Sequence, residues 1–161
     1  TLTRSAVLRT LGGGGRFVRR GLVDWKAARS FTSELLRRHD VRPPNPDLTA
    51  RALSGGNQQK LLVGRELDGA PAVAVLHGPT QGLDLHASAV IRGEIRAAAS
   101  AGAAVLLVSA DIDEIRDVAD RILILSKGRI VDALAADDFD SARVGRAMAG
   151  LIAPAEGGVS R

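Results

Sequence analysis

Residues 53–60 read LSGGNQQK, and this stretch has the pattern of a capped helix start. A serine precedes two glycines and a run of helix-forming residues, so Ser54 is predicted to cap a helix that begins at Gly55. A helix start has unpaired N–H groups and a partial positive charge, which together attract anions. Because Gly55 and Gly56 carry no side chains, an anion could approach the backbone closely. The stretch therefore predicts a seat for a phosphate group.

The composition is that of a soluble globular domain. The chain has 161 residues, of which 45% are hydrophobic and 25% charged. It has no cysteine, which excludes disulfides and thiolate metal sites. We find neither a signal peptide nor an apolar run near the roughly 20 residues that cross a bilayer. We expect a cytoplasmic protein and, since residue 1 is not Met, a fragment of a longer one.

Positive charge is concentrated at the start of the chain. Its first 20 residues hold five arginines: Arg4, Arg9, Arg16, Arg19 and Arg20. A solvated or partner-facing segment explains them most simply. An arginine-rich nucleic-acid-binding module is an alternative, because residues 12–21 read GGGGRFVRRG. Aromatic residues make up only 2% of the chain, which leaves few side chains for base stacking, so we expect no nucleic-acid partner.

Apolar residues at helical spacing predict four helices, at 24–39, 54–67, 86–101 and after Asp111. In the second helix this spacing places Leu61, Leu62 and Leu67 on the buried side. Residues 1–23 are predicted to be loop with room for one short helix, and the glycine run at 12–15 a flexible loop. The last residues, 150–161, are predicted to be frayed.

Continuous apolar runs predict buried strands at 72–76, 104–109 and 121–126. The sequence KGR at 127–129 then predicts a turn that pairs the following residues back as a hairpin. Strands that alternate with helices predict an α/β fold with a parallel sheet.

A phosphate seat is usually accompanied by a P-loop, G-x-x-x-x-G-K-[ST]. The three lysines of this chain, Lys26, Lys60 and Lys127, are followed by Ala, Leu and Gly. The chain therefore contains no P-loop of its own to hold the phosphate.

Four motifs follow one another in a fixed order: LSGGNQQKLLVGREL, GPTQGLD at 78–84, AVLLVSADIDEI and DRILILSKGRIV. Together they resemble the ATP-binding subunit of carbohydrate- and nucleoside-type ABC importers, in which two ATP-binding halves are fused. The match covers residues 16–135 and is most similar to the C-terminal part of the second, degenerate half. The resemblance implies a partial P-loop-type ABC nucleotide-binding domain, with a helical subdomain and an incomplete parallel sheet that lacks the P-loop strand.

The resemblance also implies a site that acts on a second half. The signature motif of that family contacts the γ-phosphate of ATP bound by the opposite half. Here its residues would be Ser54, Gly55, Gly56, Asn57 and Gln58. ATP with Mg would be bound mainly by the partner half.

Asp84 belongs to the motif GLD, which in this family forms the loop that contacts the other half. Asp84 is also a plausible N-cap for the helix that follows.

Three positions depart from the family pattern. His77 and Gly78 stand where the family has an aspartate that orders the Mg²⁺ shell and a glutamate that polarises water. Histidine is a poor ligand for Mg²⁺, and glycine has no side chain to act as a base. Ala110 stands where the family often has a histidine that contacts the γ-phosphate, although its sugar and nucleoside importers vary at this position. We expect no intact catalytic residue, no metal site and no ATPase activity from the chain alone.

The resemblance suggests a helical and signature subdomain with a basic N-terminal loop at 1–70. The rest of the α/β core follows at 71–150, and a flexible tail at 151–161. The implied partners are the other ATP-binding half (the upstream half or a second copy), permease subunits and, indirectly, a substrate-binding protein. The implied location is peripheral, at the cytoplasmic face of the plasma membrane.

The missing P-loop strand would lie between the strands at 104–109 and 121–126, which implies a gap in the sheet. We therefore expect the chain alone to be marginally stable. Either the two strands pair directly, or the missing part comes from another chain. The alternative function is a non-catalytic remnant with no activity.

Overall fold

A computed structural model describes residues 1–11 and 15–151 of the chain. Most of the glycine run and the tail from residue 152 onward, both expected to be flexible, lie outside the described residues. Contacts divide the chain into two compact units, Thr1–Val108 and Ser109–Arg161. The predicted subdomain boundary near residue 70 is a different division and stays a prediction.

The described residues of the first unit form four α-helices and two small sheets. Its helices are α1 (Leu2–Val7), α2 (Trp25–Arg38), α3 (Gly55–Leu67) and α4 (Leu85–Ser100). A short hairpin joins β1 (Val18–Arg19) to β2 (Leu22–Val23), and β3 (Val73–His77) pairs in parallel with β4 (Ala104–Val108). The N-terminal segment expected to be mostly loop thus forms α1 and a hairpin, because apolar residues within it pack against α2.

Helices α1, α2 and α3 pack together around one apolar cluster. Its members include Leu2, Leu35, Leu36, Val41 and Leu61, all buried. Helix α2 begins where predicted, because the Asp24 carboxylate accepts a hydrogen bond from the Ala27 N–H at 2.9 Å.

The expected buried side of α3 needs one correction. Leu61 is buried and Leu67 half-buried, but Leu62 is exposed and Val63 is buried instead. Helix α3 packs against α4 as well as against α1 and α2. Val63 belongs to the cluster beneath the β3/β4 sheet, so α3 buries a wider surface than one stripe and Leu62 points away from it.

Strands β3 and β4 are buried on one face only, which corrects the expectation of fully buried strands. Ala74 and Leu76 are buried on the face that includes the α4 side chains Ile91 and Ile95. The opposite face exposes four apolar side chains, those of Val73, Val75, Leu106 and Val108. The physical reason is that the described part of the first unit supplies a covering layer on one side of this sheet.

The second unit, as far as residue 151, is built from a hairpin and two α-helices. Strands β5 (Arg121–Ser126) and β6 (Arg129–Ala135) pair antiparallel, as the KGR turn predicts, with a register shift between Ile124 and Leu125. Helices α5 (Ile112–Val118) and α6 (Ser141–Met148) supply apolar residues to the cluster under the hairpin.

The sheets are small and partial. In the described part of the chain β4 is hydrogen-bonded only to β3, and β5 only to β6. Direct pairing of β4 with β5, one of the two expected outcomes, therefore does not occur there. The α/β fold class with an incomplete parallel sheet is confirmed. Across the described residues, every helix is too short or too polar to cross a membrane.

Candidate functional site

Ser54 caps α3, as the motif predicts. Its backbone is extended, and its Oγ lies 2.9 Å from Asn57 Nδ2 and 3.4 Å from the Asn57 backbone nitrogen. The side chain of Ser54 is exposed at the N-terminal end of a helix of 13 residues. The partial positive charge of that helix end is thus available to an anion.

Of the two glycines in the first turn of α3, Gly55 is uncovered and Gly56 is packed. A Cβ at residue 55 would have nothing within 4 Å, so this backbone borders open space. A Cβ at residue 56 would lie 3.6 Å from Ala87 Cβ and 3.9 Å from Leu83 Cδ2. Gly56 therefore packs next to the start of α4, while Gly55 faces outward.

The side chains of Asn57 and Gln58 make hydrogen bonds within the protein. Asn57 Oδ1 accepts the Arg42 backbone N–H at 2.9 Å, and Gln58 Nε2 donates to the Leu53 carbonyl at 3.0 Å. These two bonds use the amide oxygen of Asn57 and one N–H of the Gln58 amide. Their role as ATP ligands stays a prediction.

Helix α3 is joined to the loop at 78–84, a link that motif spacing did not reveal. Gln59 Nε2 donates to the Pro79 carbonyl at 3.1 Å. At the end of that loop, Asp84 Oδ1 accepts the Ala87 N–H at 2.8 Å and caps α4. The capping role of Asp84 is confirmed, and its contact with another half stays a prediction.

Lys60 lies one turn beyond the glycines, and its ammonium group contacts Asp40 within the protein. Its buried Nζ donates to the Asp40 carbonyl at 3.3 Å and lies 3.4 Å from Asp40 Oδ2. Arg42 Nε donates to Asp40 Oδ1 at 2.7 Å. The hydrogen bond from Arg42 and, to a lesser extent, the one from Lys60 lower the pKa of the Asp40 carboxyl. Lys60 therefore anchors α3 to the loop that follows α2.

His77 and Gly78 lie at the end of β3. His77 is exposed, and the Gly78 N–H donates to the Val108 carbonyl at 2.8 Å. Gly78 has a φ of +54°, and a Cβ there would lie 3.1 Å from Gln81 Oε1, so this loop conformation favours glycine. Ala110 belongs to the second unit and is exposed.

The site fits a phosphate better than it fits a metal. The capped helix start and bare backbone suit an anion. Mg²⁺ prefers oxygen ligands, and no group of three or more His, Cys, Asp or Glu side chains that could hold a metal occurs among the described residues.

The chain is similar in sequence to bacterial import ATP-binding proteins. The chain is 40% identical over 126 residues to the guanosine import ATP-binding protein NupO of Bacillus subtilis. It is 37% identical over 129 residues to the ribose import ATP-binding protein RbsA of Chelativorans. It is 35% identical over 130 residues to the nucleoside import ATP-binding protein NupA of Lactococcus lactis. These matches cover 78–81% of this chain but only 24–26% of the relatives.

Solved structures share the fold. A dimeric bacterial ABC transporter cassette superposes with a TM-score of 0.69 and 24% identity, covering 86% of this chain and 58% of the cassette. An inward-facing metal-chelate type ABC transporter gives a TM-score of 0.68 with 15% identity, covering 92% of this chain and 57% of the matched one. No protein-family model matches the sequence.

The fold is that of part of an ABC ATPase cassette. The chain is homologous to the ATP-binding proteins of sugar and nucleoside importers, and spans about a quarter of their length.

Proposed function

We propose that this chain is part of the ATP-binding component of an ABC importer for sugars or nucleosides. Within it, the chain supplies the signature motif to an ATP site whose P-loop lies on a partner half. The observation that carries this proposal is the first turn of α3, where Ser54 caps a helix start that Gly55 leaves uncovered. The homology to import ATP-binding proteins supports it.

The chemistry at the seat is electrostatic. The Ser54 hydroxyl, the N–H groups of Gly55 and Gly56 and the dipole of α3 all favour negative charge at one point. Aimed at the γ-phosphate of ATP, such a preorganised set of donors stabilises a transition state by about 2–4 kcal/mol. Asn57 and Gln58 complete the first turn.

ATP and Mg would be bound mainly by the partner half. His77 and Gly78 supply neither a carboxylate ligand nor a general base, so the chain alone is inactive as an ATPase. The partner half, the upstream half or a second copy, meets this chain through the signature seat and the Asp84 loop. Permease subunits would hold the assembly at the cytoplasmic face of the plasma membrane, with a substrate-binding protein as an indirect partner.

ATP-dependent association tests the proposal. Light scattering compares this chain mixed with an intact ATP-binding half, with and without Mg·ATP. We expect ATP to raise the mass of the mixture. Gly56→Asp should abolish the effect, because its carboxylate would repel the phosphate, and its Cβ makes only ordinary contacts at 3.6 Å and beyond. Gly93→Asp is the matched control, since residue 93 lies in α4 with open space around it.

A non-catalytic remnant is the second candidate. Two observations favour it: the absence of both carboxylates at His77 and Gly78, and the apolar face of the β3/β4 sheet that stays exposed. A mixture whose mass does not respond to ATP would support the remnant and contradict the signature role.

A further inference from the structure

We propose that Asn57 is a positioning residue that turns the hydroxyl proton of Ser54 outward, toward the phosphate. This inference rests on the proposed function and deepens it, because it says how the seat acquires a hydrogen-bond donor. Asn57 itself does not contact the phosphate through its side chain in this arrangement.

The first step is the orientation of the Asn57 amide. Its Oδ1 lies 2.9 Å from the Arg42 backbone nitrogen. A backbone N–H can only donate, so the amide oxygen must face Arg42. The NH₂ end of the same amide therefore faces Ser54, where Nδ2 lies 2.9 Å from Oγ.

The second step is the polarity of the Ser54 hydroxyl. A serine hydroxyl has one proton to donate and two lone pairs that accept. Asn57 directs two donors at Ser54 Oγ, Nδ2 at 2.9 Å and the backbone N–H at 3.4 Å. With both lone pairs engaged by Asn57, the hydroxyl proton is left for another acceptor.

The third step is the match to a ligand. Ser54 is exposed, next to the uncovered backbone of Gly55. The oxygens of a fully ionised phosphate are acceptors, so they suit a hydroxyl that is held as a donor. Asn57 thereby joins the loop after α2, through Arg42, to the donor that would meet the phosphate.

Asn57→Asp inverts this arrangement while keeping the shape of the side chain. One carboxylate oxygen can still accept the Arg42 N–H, but the other would face Ser54 as an acceptor. The hydroxyl would then donate inward, and the seat would lose its outward donor. Gln58→Glu is the charge-matched control on the same turn, because Gln58 bonds to the Leu53 carbonyl rather than to Ser54 Oγ.

The measurement is the ATP-dependent affinity for an intact ATP-binding half, in wild type and in a Ser54→Ala background. We expect Asn57→Asp to weaken association about tenfold more than Gln58→Glu, the usual size of a lost hydrogen bond to a charged group. In the Ser54→Ala background the two substitutions should weaken association equally, because no hydroxyl remains to be turned. Thermal unfolding midpoints of all variants monitor folding separately.

A second readout needs no partner. The ¹⁵N–¹H resonances of the Asn57 side-chain amide should shift in Ser54→Ala and stay in place in Gln58→Glu. Unmoved resonances in Ser54→Ala would overturn the proposed geometry.

Equal weakening by Asn57→Asp and Gln58→Glu in the wild-type background would overturn the role of Asn57 and leave the proposed function standing. No response of the wild-type mixture to ATP would overturn both.

Discussion

A glycine in the middle of α3 makes room for a histidine ring. His39 follows the last residue of α2, and its Nδ1 lies 2.6 Å from Glu94 Oε1 on α4. Both side chains are largely buried. A Cβ at residue 64 would lie 2.5–2.7 Å from three atoms of that ring. Gly64 therefore allows α2, α3 and α4 to meet around the contact between His39 and Glu94.

Gly64→Ala should destabilise the chain despite the higher helix propensity of alanine. The new methyl group cannot coexist with the His39 ring, and overpacking of this kind costs about 1–3 kcal/mol. Urea unfolding measures the loss. Gly93→Ala in α4 is the control and should stabilise by about 0.5–1 kcal/mol, since its Cβ meets nothing within 4 Å. A stable Gly64→Ala variant would contradict the close approach of His39.

A buried carboxylate in the second unit should make stability depend on pH. Arg143 donates two hydrogen bonds to Asp132, both of 2.7 Å, and Asp132 is buried. These bonds are the main cause that lowers the pKa of the Asp132 carboxyl, and burial works in the opposite direction. A carboxyl whose pKa is lower in the folded state stabilises the fold above its unfolded pKa, about 4. That contribution is lost as the pH falls through the lower folded pKa.

The free energy of unfolding of Asp132→Asn should therefore differ from that of wild type by a constant amount between pH 7 and about pH 5. The difference should shrink on further acidification through the range where the Asp132 carboxyl takes up a proton. Urea unfolding across this range measures it. Asp47→Asn is the control: its pair with Arg29 has both side chains more than half exposed, so water screens it and its effect should be smaller. If the difference in free energy of unfolding between wild type and Asp132→Asn does not shrink in acid, the Asp132–Arg143 pair is not the cause of the pH dependence.

At the scale of elements, side-chain caps set where the helices begin. Ser54, Asp84 and Asp111 each accept a hydrogen bond from a backbone N–H in the first turn of the helix that follows. These caps also hold the two helix starts that flank the candidate site, α3 and α4, in defined positions.

Asp84→Ala should cost about 1 kcal/mol of stability, because it leaves the Ala87 N–H without its 2.8 Å partner. Asp84→Asn keeps a capping oxygen and should cost much less. Thermal unfolding of the two variants measures both losses of stability. Equal losses in both would mean that the negative charge, rather than the hydrogen bond, supports α4.

Across the described part of the chain, the β3/β4 sheet and the β5/β6 hairpin are each buried on one face and exposed on the other. In the first unit Leu76 is 7% exposed, whereas its neighbour Val75 is 66% exposed. In the second unit Leu123, Leu125 and Ile130 are likewise exposed. Open apolar faces of this kind agree with a chain that spans about a quarter of its relatives and is expected to be marginally stable alone.

Two neighbouring substitutions in β3 test this asymmetry. Leu76→Ala should cost about 2–4 kcal/mol, because it empties part of a packed cluster. Val75→Thr should change the free energy of unfolding by less than about 0.5 kcal/mol and reduce binding of a hydrophobic dye. Urea unfolding and dye fluorescence measure the two effects. A large loss from Val75→Thr would mean that this face is covered.

The local features of this protein can be predicted from its amino-acid order. Helix starts at Asp24, Ser54 and Asp84, the turn between β5 and β6 and the absence of a P-loop were all readable from it. Capping, turn chemistry and motif content depend on residues a few positions apart, so periodicity and spacing are sufficient to find them.

Which surfaces are covered and which polar groups meet depends on how the helices and strands pack in three dimensions. Whether Val75 or Leu62 is buried depends on the elements packed above it, and a continuous apolar run does not say which face they cover. The Arg42–Asn57 and His39–Glu94 contacts join residues 15 and 55 positions apart. Such contacts are set by the path of the chain in space, which no local pattern encodes.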